Sequence, residues 1–267
     1  MKYKYISILV LFFLLITNNI NSQEKEAVSA EDLAKQLANP VAALISVPLQ
    51  NNFEFGVGPH NGFKYNLNVQ PVVPISLGEK WNMISRTIVP IISQNDVSQL
   101  GESEFGLGDI LQSVFFSPKK VNNGFVWGIG PVFLLPTATD DALGIDKWAV
   151  GPNALVLKLQ GPWTYGALVN HMWSYAGSGI NDVNATFFQP FATYATPTGS
   201  SFTLASENTQ SWNNDIFGGF VGAYYAKVVK IKNQRMQLGG GPKIYYGNNP
   251  FNPDWGIRIN IILLFPK

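Results

Sequence analysis

Hydrophobic and polar residues alternate one by one over long stretches of this chain. Over residues 63–70, apolar or aromatic residues occupy the odd positions, and Lys, Asn or Gln the even ones. Residues 255–265 begin in the same way, with Trp255 and Ile257 on one face and Arg258 on the other. Successive side chains of a β-strand point to opposite faces of the sheet. The pattern therefore predicts strands that have one apolar and one polar face.

Turn-forming residues divide most of the chain into about twelve such strands. The predicted spans are 45–57, 63–73, 80–92, 105–116, 124–135, 147–159, 162–174, 184–195, 201–207, 216–229, 234–246 and 254–265. Long and short connections alternate between them, as extracellular loops and periplasmic turns do in bacterial transmembrane barrels, which have an even number of strands. We therefore expect an all-β protein, a transmembrane antiparallel up-and-down β-barrel with a short N-terminal helix.

Six prolines lie inside the predicted strands, where each removes a backbone donor from the ladder. They are Pro71, Pro90, Pro131, Pro152, Pro190 and Pro242. A closed barrel has no edge strand that could hold them. Because several follow a glycine, we expect bulges or bends at which the ladder is locally interrupted.

The first residues predict export. Lys2 and Lys4 precede an apolar run over residues 6–16, and a polar stretch follows, which is the layout of a secretory signal peptide. The apolar run is shorter than the roughly 20 residues that span a bilayer. Residues 1–22 are therefore the predicted signal peptide, and we expect the cleaved chain in the outer membrane of a Gram-negative bacterium.

One helical segment is predicted, over residues 23–43. Ser29 opens a stretch that resembles a capping box, and Leu33 and Leu37 share one helical face. We expect this segment to be a periplasmic tail, with a short plug in the barrel lumen as the alternative. The barrel itself then comprises residues 44–267.

The composition is unusual for a soluble protein. Charged residues make up 13% of the chain, against roughly 25% in soluble domains, and aromatic residues, seven Trp among them, also make up 13%. The formal net charge of +1 gives no case for nucleic-acid binding. The absence of Cys excludes disulfides, thiolate metal sites and a lipoprotein anchor.

The polar strand faces are expected to line a lumen, which is where a function would lie. The candidate lumen-lining residues are Lys64, Asn66, Asn68, Gln70, Arg235, Gln237, Lys243, Arg258 and Asn260. Rings of basic side chains favour anions in pores. In a barrel of this size the same groups can instead brace a lumen that side chains largely fill, so both interpretations stay open.

Acidic residues concentrate in the predicted outer loops. Asp140, Asp141 and Asp146 lie together in the loop over residues 136–146. Such residues could share divalent cations with lipid head groups, and ordinary solvated loop charge is the alternative. The expected partners are outer-membrane lipid and lipopolysaccharide, the barrel-assembly machinery, and a small-molecule solute.

Four long segments resemble a known family. They are GLGDILQSVFFSPKK (106–120), WGIGPVFLLPTATD (127–140), KWAVGPNALVLKLQGPW (147–163) and PDWGIRINIILLFPK (253–267). The sequence looks like the "MetA-pathway of phenol degradation-like" outer-membrane proteins, often labelled transporters and sometimes neuromedin U, from about Asn39 to Lys267. The resemblance implies a barrel and the passage of small compounds, aromatic ones included. It supplies no catalytic or binding residues. Phe265 is followed by Pro266 and Lys267, whereas such barrels commonly end on an aromatic residue.

Catalysis has little support in the sequence. A lipid hydrolase needs a Ser activated by a His, and His171 and Ser174 would face opposite sides of a regular strand. Neither a metal site nor a cofactor is predicted. We expect a narrow channel or transporter for small molecules, aromatic or hydrophobic ones among them. A non-conducting structural or surface-interaction barrel is the alternative, and a lipid-modifying enzyme centred on His171 is a third hypothesis.

Overall fold

The computed structural model describes residues 29–265, and the predicted signal peptide, residues 1–22, lies outside the described residues. The helix α1 (Ala30–Leu37) comes first, and a short 3-10 helix at Asp141–Leu143 follows the seventh strand segment. The strand segments are β1 (Ile45–Val57), β2 (Gly62–Val69), β3 (Val72–Leu77), β4 (Trp81–Asn95), β5 (Ser103–Leu107), β6 (Ile110–Pro118), β7 (Phe125–Leu135), β8 (Trp148–Gln160), β9 (Trp163–Ala176), β10 (Asn184–Ala195), β11 (Ser200–Ser211), β12 (Ile216–Ile231), β13 (Gln234–Gly247) and β14 (Trp255–Phe265).

These strands form one closed antiparallel barrel. Each long strand pairs with the long strands before and after it in the chain. The last one, β14, pairs with β1 and closes the barrel, with Ile45 opposite Phe265. β2 and β3 are two parts of one long strand, because both pair with β1 on one side and with β4 on the other. β5 and β6 are also two parts of one long strand, because both pair with β4. The described residues therefore form twelve long strands, which confirms the predicted architecture.

Burial in this barrel is the reverse of burial in a soluble protein. Lys243 and Arg258 are 1% and 6% exposed, whereas Ile257 and Ile259 are 39% and 46% exposed. Soluble proteins bury apolar side chains and almost never bury Lys or Arg unless it is paired. The apolar strand faces therefore point outward, toward lipid, and the polar faces point inward. A dry sandwich core is excluded.

Tryptophan side chains lie on the outside near both rims. Trp81 and Trp127 meet edge to face near the short turns, with ring centroids 5.8 Å apart, and Trp163 lies at the same rim. At the opposite rim, Trp255 stacks on Phe55 with centroids 4.4 Å apart. Aromatic girdles at both membrane interfaces are typical of transmembrane barrels.

Most of the prolines interrupt the hydrogen-bond ladders without shifting their register. Pro131 lies opposite Pro152, so two of the missing donors fall at one point. Pairing pauses between β10 and β11 beside Pro190, and between β12 and β13 beside Pro242, and then resumes in unchanged register. The predicted interruptions are present at these sites as gaps in a continuous register. Beside Pro90 the register shifts by one residue, since Ile91 lies opposite Leu107 but Ile88 lies opposite Leu111, as in a bulge.

The N-terminal helix lies inside the barrel. Leu33 and Ala34 are 0% and 1% exposed and pack against Leu44, Val228 and Leu264. Val228 and Leu264 are on the inward faces of β12 and β14, at the rim with the short turns. The helix therefore plugs this end of the lumen, and the prediction of a periplasmic tail is wrong. Within residues 29–265 no helix is long and apolar enough to cross a membrane.

The packing explains why the helix forms where it does. Ser29 caps it by accepting a hydrogen bond from the Asp32 backbone N–H, but an isolated helix of this length is marginal in water. The barrel supplies the missing partner, because Ile262 and Leu264 make the inward face of β14 apolar at this end. The sequence carried that signal: residues 261–265 are all apolar and no longer alternate.

Candidate functional site

Five charged side chains meet inside the barrel, and we call them the charged belt. They are Glu54 of β1, Arg86 of β4, Glu207 of β11, Lys243 of β13 and Arg258 of β14. Lys243 Nζ lies 2.9 Å from Glu54 Oε1, and Arg258 Nη1 lies 2.8 Å from Glu207 Oε1. Because the partners come from different strands, these ion pairs join parts of the wall that are far apart in sequence.

Neutral side chains complete the two ion pairs. Asn52 Oδ1 accepts from Lys243 Nζ at 3.1 Å and from Arg258 Nε at 2.8 Å, so one amide links both cations. The Tyr245 hydroxyl donates to Glu54 Oε1 at 2.6 Å. Buried ion pairs offset their desolvation cost only when further hydrogen bonds satisfy them. The belt meets this condition at both pairs, which favours a fixed arrangement.

Arg86 differs from the other two cations of the belt. Its Nη2 donates to Gln70 Oε1 at 2.8 Å, and Gln70 donates to Gln50 Oε1 at 3.2 Å. No carboxylate of residues 29–265 forms an ion pair with Arg86. The belt therefore holds three cations and two carboxylates, and Arg86 is the cation that forms no ion pair with either carboxylate.

A cavity of about 270 Å³ lies between α1 and the charged belt, lined by residues from both. Leu168 and Phe191 belong to its apolar wall, and Arg86 to its polar wall. Tyr224 and Asn260 also line it, and the Tyr224 hydroxyl and Asn260 Oδ1 are buried without a hydrogen-bond partner in the described part of the chain. The cavity therefore combines apolar surface with polar groups whose hydrogen-bonding capacity is unused.

The nine candidate lumen residues all lie on inward strand faces, but not in one cluster. Gln70, Gln237, Arg258 and Asn260 line the cavity, and Lys243 belongs to the belt. Lys64 lies opposite Glu54 on the neighbouring strand and so adjoins the belt. The others lie elsewhere on the inward faces of β2 and β13: Asn66, Asn68 and Arg235. Whether any of them contacts a solute stays a prediction.

Asn52, Glu54, Arg86 and Glu207 belong to the site but were not predicted from the sequence. Glu54 had a signal, since it lies alone between Phe53 and Phe55. Arg86 stands between Ser85 and Thr87, and Glu207 between Ser206 and Asn208, where polar residues on both faces hide the alternation.

The acidic outer loops are built around hydrogen bonds. Asp140 accepts from the Ala142 backbone N–H at 2.9 Å and caps the 3-10 helix that Asp141 begins, and Ser178 donates to Asp146. Among residues 29–265, no three His, Asp or Glu side chains are placed to hold a metal ion. The geometry of Asp140 and Asp146 favours loop structure over cation sharing.

A salt bridge joins two of these loops. Lys147 Nζ lies 2.8 Å from Asp182 Oδ1, and Ser174 Oγ donates to the same oxygen at 3.2 Å. The hydrogen bond and the charge of Lys147, with the Ser174 hydrogen bond, lower the pKa of Asp182 below its ordinary value of 3.8. Asp182 therefore stays ionised above that pH.

His171 and Ser174 do not form a hydrolytic pair. His171 Nδ1 lies 2.7 Å from Thr186 Oγ1, and its ring packs on Trp173 with centroids 4.1 Å apart. Ser174 instead donates to Asp182. The two side chains lie on opposite strand faces, as their spacing predicts, so His171 cannot activate Ser174.

The comparison with known sequences finds no relative: no protein-family model matches the chain, and neither does any curated protein. The family resemblance of the sequence therefore stays a prediction.

Solved structures do share the fold. An outer membrane channel from Pseudomonas putida F1 matches with a TM-score of 0.69 at 12% identity, over 92% of this chain and all of that chain. NanC porin matches with a TM-score of 0.49 at 10% identity, over 84% and 100%. Outer membrane phospholipase A from Escherichia coli has a TM-score of 0.47 at 12% identity, over 90% and 99%. At such low identity the first likeness shows a common barrel fold alone, and the other two, with TM-scores under 0.5, carry no argument about fold or activity.

Proposed function

We propose that this chain is a narrow outer-membrane channel for small molecules, exported by its signal peptide and inserted by the barrel-assembly machinery among lipid and lipopolysaccharide. One observation carries the proposal: an apolar outer wall encloses polar inward faces and an internal cavity. Lipid-facing strands allow the barrel to span the bilayer. Polar inward faces give a solute hydrogen-bonding groups along its path.

Two features keep the passage narrow. The charged belt narrows the lumen, because its long side chains lie inside the barrel and pair β1 with β13 and β11 with β14. α1 narrows the end of the lumen near the short turns, where Leu33 is buried. A wide general porin does not fit this arrangement. Because α1 lies in the path of a solute, we propose that this helix is the gate.

Planar-bilayer conductance tests this function. We expect small, infrequent openings from the intact protein and a larger, more continuous conductance after deletion of residues 29–39, because the deletion removes the plug. Glu31→Gln is the matched control, since it removes only the i,i+4 pair between Glu31 and Lys35, and its conductance should equal that of the intact protein. If the intact and the deleted protein are both silent, the channel proposal fails.

The solute class rests on the family resemblance. The proposal includes membership of the MetA-like family and, with it, passage of small aromatic or hydrophobic compounds. The apolar wall of the cavity, with Leu168 and Phe191, is compatible with such solutes. Uptake of a labelled aromatic compound should fall when the gene is deleted, whereas uptake of a sugar of similar size should not. Equal uptake by both strains would contradict this solute class.

A second candidate function is a non-conducting structural or surface-interaction barrel. The helix plug and the ion pairs of the belt favour it, because both narrow the path through the lumen. It predicts no conductance in either form of the protein. It also predicts that truncation of the loop over residues 136–146 weakens envelope integrity or adhesion, and an unaltered envelope would count against it.

A further inference from the structure

We propose that the cavity beside α1 is a binding site for a small apolar carboxylate, held through the guanidinium of Arg86. The proposal rests on the proposed function in one respect, which is that the ligand reaches the cavity through the lumen. It deepens that function because it assigns a ligand class and a recognition residue to the path.

The first reason is that Arg86 forms no ion pair among residues 29–265. A guanidinium has five N–H donors and matches a carboxylate in a two-pronged geometry. In the described part of the chain, its one hydrogen-bond partner is the neutral amide of Gln70. Glu207, a carboxylate of the belt, is held by Arg258 and accepts from Gln189. Arg86 is therefore the cation of the belt that can take an anion without breaking an existing ion pair.

The second reason is an unused hydrogen-bond donor in the wall of the same cavity. The Tyr224 hydroxyl is buried without a partner in residues 29–265, and Tyr224 lines the cavity as Arg86 does. Leaving a buried polar group unpaired is costly. A carboxylate has a second oxygen and up to four acceptor positions, so the Tyr224 hydroxyl can donate to the anion that Arg86 binds.

The third reason is the size and the wall of the cavity. Its volume of about 270 Å³ is below the roughly 300–1,000 Å³ of pockets that hold drug-sized ligands, so it suits a smaller ligand. Leu37, Leu168, Phe191 and Ile262 supply apolar surface. A short alkyl or aryl chain can therefore pack there while its carboxylate reaches Arg86. A sugar would leave many hydroxyl groups against apolar wall, so we commit to an apolar monocarboxylate.

Calorimetric titration of the detergent-solubilised barrel with hexanoate tests the site, with hexanamide as the uncharged isostere. We expect hexanoate to bind at least about tenfold more tightly than hexanamide, because the ionic hydrogen bonds to Arg86 are lost with the charge. Affinity should rise by up to about fourfold for each added methylene and stop rising once the chain outgrows the cavity.

Variants assign the effect to Arg86. Arg86→Gln should remove the preference for hexanoate over hexanamide, and Arg86→Lys should keep part of it. Lys230→Gln removes an exposed cation at the rim, outside the cavity, and should leave both affinities unchanged. Migration on unheated gels shows that each variant forms a closed barrel.

The outcomes separate this proposal from the channel function. Equal binding of hexanoate and hexanamide by the intact protein overturns the carboxylate site, even if the protein conducts. A preference for hexanoate that survives Arg86→Gln also overturns it. Arg86-dependent binding of hexanoate by a protein that never conducts supports the site and contradicts the channel.

Discussion

The charged belt and the plug occupy the same lumen but are held in different ways. The belt joins strands of the wall through buried ion pairs, and Asn52 links its two paired cations. The plug, α1, rests on apolar contacts such as those of Leu33 with Val228 and Leu264. Apolar contacts are non-directional, and the covalent connection between α1 and the barrel is the segment before β1. The belt therefore belongs to the structure of the wall, whereas the plug can leave without unfolding it.

Breaking an ion pair of the belt should have the largest effect on the free energy of unfolding. Glu54→Gln leaves the ammonium of Lys243, whose side chain is 1% exposed, without its counter-charge, and loss of one partner from a buried pair costs about 3 kcal/mol or more. We expect the free energy of unfolding in urea to fall by about that amount. The double variant Glu54→Gln, Lys243→Met should recover most of the loss, and a double variant as unstable as the single one would show that the ion pair is not the cause.

Weakening the plug should have a smaller effect on free energy than breaking the belt, and it should loosen the docking of α1 rather than the barrel wall. Leu33→Ala removes a fully buried side chain from the contact between helix and barrel, which costs about 2 to 3 kcal/mol. The cost should appear as easier undocking, so proteolysis within residues 29–41 should accelerate while the unfolding midpoint of the barrel stays unchanged. A lowered midpoint with unaltered proteolysis would mean that α1 is part of the wall.

Removing the helix cap should also loosen α1, but less strongly than Leu33→Ala does. Ser29→Ala deletes the acceptor for the Asp32 backbone N–H, a loss of about 1 kcal/mol. Amide exchange in the first turn of α1 should speed up, and exchange in β12 should not. Equal acceleration in both would contradict the independence of plug and wall.

The loop salt bridge should give the smallest effect on stability, because the Asp182 side chain is 70% exposed and water screens the pair. The pKa of Asp182 is lowered, so its contribution to stability is present above the ordinary value of 3.8 and is lost as pH falls below 3.8 through the lowered pKa. Amide exchange in the loop over residues 177–183 should rise only in that acidic range. In Lys147→Gln the Asp182 carboxyl should titrate closer to 3.8, and an unshifted titration would contradict the role of Lys147.

The sequence predicted the barrel wall better than the charged belt and the helix plug inside it. Strict alternation, as in residues 63–70, is a local property with period two, so it revealed the strands and the closed barrel. The belt depends on register between distant strands. Glu54 and Lys243 are partners although 189 positions separate them, and no local pattern reports that pairing.

The plug was mispredicted for a related reason. An amphipathic helix shows that α1 needs an apolar partner, but not which one. The partner is the apolar end of an otherwise polar inward face, at Ile262 and Leu264. β11 was predicted to end at Glu207 because Asn208, Thr209 and Gln210 are polar on both faces, yet the strand continues to Ser211.

The central claim is that inward faces line an aqueous path while outward faces meet lipid, and neighbouring residues of β14 test it most directly. The chain has no Cys, so Asn260→Cys and Ile259→Cys each introduce a single thiol, one at the cavity and one on the outside. In a planar bilayer, we predict that a charged, membrane-impermeant thiol reagent reacts with the thiol at position 260 and reduces conductance, and leaves the variant at position 259 unaltered. Reaction at position 259 with none at position 260, or equal reaction at both, would contradict the account.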